Sequence, residues 1–225
     1  NKTREVASSG DGFASGLGGS IMRYALFATP ASPVRFKNGP YAGQFVDRPA
    51  TLNLAGTTTN VFGDGLNPVG LAAYANRNFK NYSLLGNVYL ELTPVDHLKL
   101  RTDFGTNFII TDFKDFKSTW GIDRPGGHVE NSPNALSQYN RNDYNYNWTN
   151  TATYDWIMDR HTLNVLVGTE IVYNSSRRID GSTTDFPNQT SQFQYLSNGN
   201  SVTPSLSGDA NSSSLSSLFG RLDYQ

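Results

Sequence analysis

The side chains that could do chemistry are few, and their spacing does not form a familiar catalytic or metal site. The three histidines, His97, His128 and His161, fall in predicted turns and a glycine-rich loop, and no two have metal-ligand spacing. The chain contains no cysteine, which excludes disulfides, thiol nucleophiles and thiolate metal sites. Motifs of serine hydrolases, phosphate-binding loops and zinc proteases are absent. The sequence therefore predicts a protein that is not an enzyme.

Acidic residues gather in one predicted loop, where a pair of carboxylates could serve glycoside hydrolysis. They are Asp112, Asp115, Asp123 and Glu130. Solvated loop charges are the commoner use of such residues, so no catalytic role and no cofactor are predicted. A Ca²⁺ ion held by loop Asp and Asn oxygens would fit the composition, but no calcium motif supports it.

The composition favours β structure and excludes some partners. The 225 residues have a formal net charge of −1, so no overall field favours nucleic acid. Aromatic residues reach 12% and charged residues only 16%, a mixture that suits pleated strands with polar loops. No apolar run approaches the length of a membrane-spanning helix, but the half-apolar strands of a membrane barrel give a much weaker signal.

Apolar and polar residues alternate along several stretches, which is the pattern of a β-strand. In residues 98–108, for example, leucine, threonine and phenylalanine alternate with charged and small polar residues. Strands of about 14 residues would extend about 46 Å, and tilted by about 45° they would still cross an apolar band of about 25 Å. The predicted strands are residues 82–92, 98–108, 143–157, 162–173 and 218–225, with a poorer pattern in residues 20–28.

The predicted connections alternate between short and long. Residues 93–97 and 158–161 are tight turns, whereas about 50, 32 and 40 residues follow Ala28, Ile110 and Tyr173. Such long loops are uncommon in compact soluble domains. Short periplasmic turns and long extracellular loops are typical of outer-membrane barrels.

Aromatic residues on one predicted strand are grouped near its two ends. Tyr144, Tyr146 and Trp148 follow a long loop, and Tyr154 and Trp156 precede a short turn. Amphipathic rings prefer the headgroup level of a membrane, so we expect these residues to form two lipid-facing aromatic girdles.

The opposite face of the predicted strands carries the charges. We expect these residues to face the lumen, as ladders of charge pairs or along a solute path. They are Glu91, Lys99, Arg101, Asp103, Glu170, Arg221 and Asp223. Exposed aromatics of the long loops, Trp120, Tyr139, Phe193 and Tyr195, are candidate contacts to a ligand or to a lipoprotein.

Four stretches in order along the chain resemble the SusC/RagA-like branch of TonB-dependent outer-membrane receptors. They are ALFATPASPVRFKNGPY (25–41), NYSLLGNVYLELTPVDHLKLRTDFGTNF (81–108), NYNWTNTATYDWIMDRHTLNVLVGTE (145–170) and SLFGRLDYQ (217–225). Each is degenerate alone, whereas the ordered set is more specific. The resemblance identifies residues 1–225 as an internal part of the barrel domain, without the plug, the signal peptide or the C-terminal strand.

The resemblance implies an active importer of the bacterial outer membrane. Such receptors have a 22-stranded barrel closed by a plug, take energy from the TonB complex and work with a SusD-like surface lipoprotein to import oligosaccharides or peptides. The fold class expected is all-β: about six long antiparallel strands of this transmembrane barrel, with long extracellular loops and short periplasmic turns.

Two other functions remain open from the residues alone. A passive porin would have the same strands, and only the resemblance favours coupling to TonB. A soluble β-sandwich that binds carbohydrate outside the cell would also alternate apolar and polar residues, with its apolar side turned inward against a second sheet.

Overall fold

Long antiparallel strands dominate the structure. The computed structural model describes residues 2–3, 21–28, 32–47, 51–54, 57–60, 66–123, 127, 129–200, 202 and 204–225. The elements in chain order are β1 (Lys2–Thr3), α1 (Ile21–Phe27), β2 (Thr51–Leu54), β3 (Thr57–Asn60), α2 (Pro68–Tyr74), β4 (Ala75–Val95), β5 (Leu98–Lys117), β6 (Trp120–Gly121), β7 (Val129–Glu130), β8 (Ala135–Met158), β9 (His161–Thr184) and β10 (Ser205–Tyr224). Short 3₁₀ helices lie at Ser191–Phe193 and Leu196–Asn198.

One antiparallel sheet has the strand order β1-β4-β5-β8-β9-β10. Strands that are adjacent in this sheet occur in the same order along the chain, so β4, β5, β8, β9 and β10 form an antiparallel meander. The all-β antiparallel fold with about six strands in one sheet is confirmed. Five strands have 20 to 24 residues, and the sixth, β1, has only two.

The weak alternation of residues 20–28 had predicted a strand, and this prediction is wrong for the described residues 21–28, because α1 occupies Ile21–Phe27. Its sequence, IMRYALF, contains methionine, arginine, alanine and leucine, which favour helix. Neither α1 nor α2 has the length or the apolar content to cross a membrane.

The main sheet has an apolar side and a polar side. Val88, Phe104, Trp148 and Ile171 stand in one cross-strand row of the apolar side. Between Tyr82 and Leu92, Leu98 and Ile110, Tyr144 and Trp156, and Leu163 and Tyr173, this side carries no charged residue. We call this uncharged area the apolar band.

The strands continue beyond the apolar band, and the long connections are correspondingly shorter than predicted. The connection from β5 to β8 is residues 118–134, and that from β9 to β10 is residues 185–204. Alternation does not reveal these extensions, since polar residues such as Asp112 and Lys114 follow Ile110 on the apolar side. The short turns are confirmed: residues 96–97 and 159–160 close hairpins, with positive φ at His97 and Asp159.

The apolar side has no second sheet packed on it among the described residues. Leu84, Val88 and Leu222 are 65%, 64% and 66% exposed. A soluble sandwich would bury such residues between two sheets. Among the described residues the sheet instead leaves a broad hydrocarbon surface uncovered, and surfaces of this kind mark contact with a partner or an apolar medium.

Two small cores hold the connections against the end of the sheet that lies beyond the band. In the first, the ring of Trp120 stacks on Tyr74, with centroids 5.5 Å apart, and covers Gly70 of α2. In the second, Phe116, Leu136 and Phe186 are buried together, with Leu196 packed against them. Asn134 fixes this second core, since it donates to the carbonyl of Phe186 and accepts from its backbone N–H.

Candidate functional site

The polar side carries a charge network where β4 and β5 pair near their short turn. Lys99 Nζ lies 3.2 Å from Glu91 Oε1, and Arg101 Nη1 lies 3.7 Å from Glu91 Oε2. Arg101 Nε also donates to Asp103 Oδ2 at 2.7 Å. The guanidinium lies over the ring of Tyr89 at 4.5 Å. Four of the residues predicted to face a lumen are therefore one network on one side of the sheet.

An arginine followed two residues later by an aspartate recurs on four strands. Because side chains two apart point to the same side of a strand, each arginine reaches the aspartate of its own strand. Nitrogen–oxygen distances in three of these pairs are 2.7, 2.9 and 2.8 Å. The pairs are Arg101–Asp103, Arg141–Asp143, Arg178–Asp180 and Arg221–Asp223.

Beyond the level of the band, the polar side carries a continuous row of stacked groups across four neighbouring strands. Arg77 lies over Phe113 at 5.5 Å. The rings of Phe113 and Tyr139 stack with centroids 4.8 Å apart and an interplanar angle of 19°. Arg178 lies over Tyr139 at 4.2 Å. We call Arg77, Phe113, Tyr139 and Arg178 the aromatic–arginine row.

Aspartates neutralise both ends of this row. Arg77 Nη2 lies 3.5 Å from Asp115 Oδ2, and Arg178 Nε donates to Asp180 Oδ1 at 2.8 Å. The hydrogen bond to Asp180 raises the pKa of the Arg178 guanidinium above its ordinary value, and the charge of the same carboxylate adds to the effect. Since the charges are paired, the row presents rings and planar guanidinium groups without strong net charge.

A cavity of about 300 Å³ adjoins the row. Phe113, Tyr139 and Arg178 contribute to its wall. Hydroxyl groups line much of the rest, from Ser137, Ser182, Ser205 and Ser207. Rings beside hydroxyl groups can hold an uncharged polar ligand by stacking and hydrogen bonding. Among the described residues, no three His, Asp or Glu side chains are grouped so that they could hold a metal ion.

The other residues predicted for the polar side also lie on it. Glu170 Oε1 accepts a hydrogen bond from Thr149 Oγ1 at 3.5 Å, on the neighbouring strand. Arg221 and Asp223 form the pair on β10. The expected ladders are thus only partly cross-strand, because the shortest arginine contacts stay within a single strand.

The aromatic residues predicted as girdles stand on the apolar side in two groups. Tyr144 and Tyr146 are neighbours at one edge of the band, with ring centroids 5.7 Å apart. Trp148 Nε1 donates to Thr102 Oγ1 at 2.8 Å, which satisfies its polar atom without water. Tyr154 and Trp156 lie at the other edge and are 43% and 52% exposed.

The four predicted loop aromatics are not one site. Trp120 is buried in the first small core, with 6% of its surface exposed, so it is not an accessible loop residue. Tyr139 lies in β8 rather than in a loop, because that strand begins at Ala135. Phe193 and Tyr195 are exposed, in the segment that packs on the apolar side beyond the band.

Sequence reasoning missed Arg77, Phe113 and the pairs on β8 and β9. The pairs on β8 and β9 do have a sequence signal, which is the spacing Arg-x-Asp in polar stretches. This spacing becomes informative once the alternation of the strand is extended past the apolar band. The four carboxylates of the predicted acidic loop do not converge either: Asp112 and Asp115 are on β5, on opposite sides of the sheet.

Comparisons with known proteins show which solved structures this fold resembles. No protein-family profile and no curated protein sequence matches the chain. Among solved structures, a chain of the RagAB peptide importer in its open-open state matches with a TM-score of 0.63 and 18% identity, over 82% of this chain and 20% of that chain. The closed-closed state matches with a TM-score of 0.64 and 18% identity, over 80% and 19%.

This chain therefore spans about a fifth of the importer chain that it matches. At 18% identity the likeness concerns the fold. It confirms, at that level, the resemblance seen in the sequence: the long antiparallel strands are built like part of a chain of the RagAB importer.

Proposed function

We propose that residues 1–225 form part of the barrel wall of a TonB-dependent importer of the SusC/RagA type in the bacterial outer membrane. The observation that carries this proposal is the single-layer sheet, with an uncharged, exposed apolar band on one side and paired charges on the other. The fold likeness to a peptide importer supports it.

The dimensions of the band suit a membrane. On β5 the band runs from Leu98 to Ile110, which at about 3.3 Å per residue is about 40 Å along the strand. Tilted by about 45°, it would rise about 28 Å, close to the apolar height of about 25 Å of an outer-membrane barrel. In this proposal the two aromatic groups of β8 lie at the two membrane interfaces.

The polar side then faces the lumen, and the aromatic–arginine row lies at its extracellular end, where the longer connections are. Stacked rings with nearby serine hydroxyls suit the amides of a peptide or the hydroxyls of an oligosaccharide. Cargo of this kind, capture by a SusD-like lipoprotein and energy from the TonB complex are the expectations that the resemblance supplies.

Two adjacent leucines test the orientation of the sheet. Leu84 lies on the apolar side and Leu85 on the polar side, and both are exposed, by 65% and 81%. Since the chain has no cysteine, Leu84→Cys and Leu85→Cys can each carry one nitroxide label in a cysteine-free full-length protein reconstituted in lipid.

The label at position 84 should relax with lipid-soluble oxygen, and the label at position 85 should not. Equal oxygen accessibility at both positions would contradict the placement of the sheet in a barrel wall.

Transport itself needs a cellular test. The full-length protein should fractionate with the outer membrane, and uptake of labelled oligopeptides or oligosaccharides by expressing cells should stop when TonB is deleted. Uptake that continues without TonB would support a passive channel instead. Recovery of the protein in the aqueous fraction would support the soluble carbohydrate-binding protein.

A further inference from the structure

The apolar side acquires charge abruptly at one edge of the band. Within the described strands, the charged residues that come next on this side past Tyr82, Ile110 and Tyr173 form a group with three cations and one carboxylate, of which two lie on β5. The group comprises Lys80, Lys114, Arg177 and Asp112. None of its members takes part in the cores or in the aromatic–arginine row.

Two of the cations, Lys80 and Lys114, are close enough to repel each other. Lys80 is the cross-strand partner of Asp112, and Lys114 is two residues further along β5. Burial lowers the pKa of Lys114 below its ordinary value, and the charge of Lys80 lowers it further. An anion bound between the two ammonium groups would relieve this repulsion.

The close contacts of the Lys114 ammonium group among the described residues are with neutral groups. Lys114 Nζ donates to the carbonyl of Gln194 at 2.6 Å and lies 5.4 Å from the ring centroid of Tyr195. Within the described part of the chain, no carboxylate lies within 4 Å of Lys80, Lys114 or Arg177. Asp112 instead accepts a hydrogen bond from Asn140 Nδ2 at 2.5 Å.

A cavity of about 370 Å³ lies between this part of the sheet and the segment that contains Leu196. Lys80 and Lys114 line it. Amide groups of Asn78, Gln138 and Asn140 also line it, and they can donate hydrogen bonds to an oxyanion. Two carboxylates, Asp112 and Asp180, line it as well, but Asp180 is held by Arg178. The cavity thus offers two ammonium groups and neutral donors against one carboxylate that has no arginine or lysine within 4 Å among the described residues, beside the edge of a hydrocarbon surface.

From this juxtaposition we infer that Lys80 and Lys114 bind the phosphate of a membrane lipid at the extracellular edge of the band. The inference rests on the proposed placement of the band in a membrane. The Cα of Lys80 lies only about 6.6 Å along β4 from that of Tyr82, so its ammonium group is at headgroup level when Tyr82 borders the acyl chains.

Arg177 extends the site toward a second phosphate. Three strand spacings separate β4 from β9, about 14 Å at about 4.8 Å each. This distance exceeds the reach of one phosphate but suits a neighbouring headgroup or a headgroup that carries two phosphates. The acyl chains of the same lipid would lie along the band, which adds apolar contact to the charge interaction.

Lipid binding to the full-length protein in zwitterionic detergent tests the inference. The probes are dioleoyl phosphatidylglycerol, dioleoyl phosphatidylcholine and inorganic phosphate, and native mass spectrometry counts the retained lipid. The protein should retain phosphatidylglycerol over phosphatidylcholine, since the choline of the latter cancels the phosphate charge. Inorganic phosphate should compete weakly, because it lacks acyl chains. If inorganic phosphate competes and the protein shows no preference between the two lipids, the ligand of this site is a free anion and not a lipid.

Charge changes of both signs separate a binding role from a folding defect. Lys80→Gln and Lys114→Gln should each reduce the affinity for phosphatidylglycerol about fivefold, as expected for one basic residue at an anionic membrane surface. Lys80→Arg should retain the affinity, and Asp112→Asn should increase it. Lys99→Gln is the matched control, because Lys99 lies on the polar side and pairs with Glu91.

Failure of this inference differs from failure of the proposed function. The lipid site alone would be overturned if the protein resides in the outer membrane but Lys80→Gln and Lys114→Gln reduce the retained phosphatidylglycerol no more than Lys99→Gln does. A protein recovered in the aqueous fraction would overturn the membrane placement and, with it, the lipid as ligand.

Discussion

Arg178 of β9 stacks on Tyr139 of β8, with its guanidinium carbon 4.2 Å from the ring centroid. The same guanidinium is held by Asp180, to which Nε donates at 2.8 Å. On its other side in the row, Tyr139 stacks with Phe113. The tyrosine ring is therefore fixed between two planar neighbours, so it offers a preorganised surface rather than a mobile one.

In the proposed importer, loss of the Tyr139 ring should weaken the binding of cargo by the full-length protein. A cation–π contact and a ring stack contribute about 0.5–1.5 kcal/mol each, so Tyr139→Leu should reduce affinity for the transported peptide or oligosaccharide about three- to tenfold. Titration calorimetry measures this change. Tyr139→Phe should retain most of the affinity. Tyr195→Leu, on the other side of the sheet, should leave it unchanged, and an equal loss in both leucine variants would exclude the row as the cargo site.

A charge placed on the apolar side should be far more costly than the same charge on the polar side. Val88 stands in the middle of the apolar band, and Asn87 is the adjacent residue on the polar side. Val88→Arg should lower the free energy of unfolding in lipid by about 2–4 kcal/mol, as for arginine at a bilayer midplane. Asn87→Arg should change it little. The folded fraction on semi-native gels across a urea series measures both, and similar losses would contradict a lipid-facing band.

Docking of residues 185–200 on the sheet should depend on the absence of a side chain at position 181. A Cβ added at Gly181 would lie 2.4 Å from Leu196 Cδ1, so Gly181→Ala should displace Leu196 at a cost of about 1–3 kcal/mol. Proteolysis within residues 185–204 should then accelerate.

Gly86→Ala is the control for this change, since nothing lies within 4 Å of its added Cβ. The double variant Gly181→Ala with Leu196→Ala should not show the clash. Equal cleavage rates in Gly181→Ala and Gly86→Ala would mean that Leu196 does not hold the segment.

Trp120 should matter for stability rather than for direct contact with cargo. Its ring is buried against Tyr74 and Gly70, so Trp120→Ala should destabilise the packing of α2 against β6 by about 3–5 kcal/mol. Local hydrogen exchange of residues 66–74 measures this loss. Phe193→Ala, an aromatic truncation in a loop where the ring is 46% exposed, should cost less than about 0.5 kcal/mol. Unchanged exchange in the Trp120 variant would contradict its core role.

The sequence predicted the strands best where one side of the strand is apolar and the other side is polar. Alternation located the parts of β4, β5, β8 and β9 that form the apolar band, because one side there is free of charge. It failed in the extensions, since residues such as Asp112 and Lys114 make both sides polar while the backbone pairing continues.

Loop aromatics were the least predictable part. Nothing in the local sequence distinguishes Trp120, which fills a core, from Phe193, which stays exposed. The difference arises from α2, which brings Gly70 under the tryptophan ring through a contact distant in sequence. Tyr139 was chosen as a contact for its ring, but its importance in the structure comes from Phe113 and Arg178 on neighbouring strands, which only the register brings together.

The arginine–aspartate pairs that lie two residues apart have a consequence for assembly. On each of the four strands β5, β8, β9 and β10, the aspartate that neutralises the arginine belongs to the same strand. Such an arginine therefore does not depend for its ion pair on a neighbouring strand that has not yet been added. In the proposed barrel, a wall built hairpin by hairpin can therefore insert each of these arginines already paired, whatever the order in which the neighbouring strands are added.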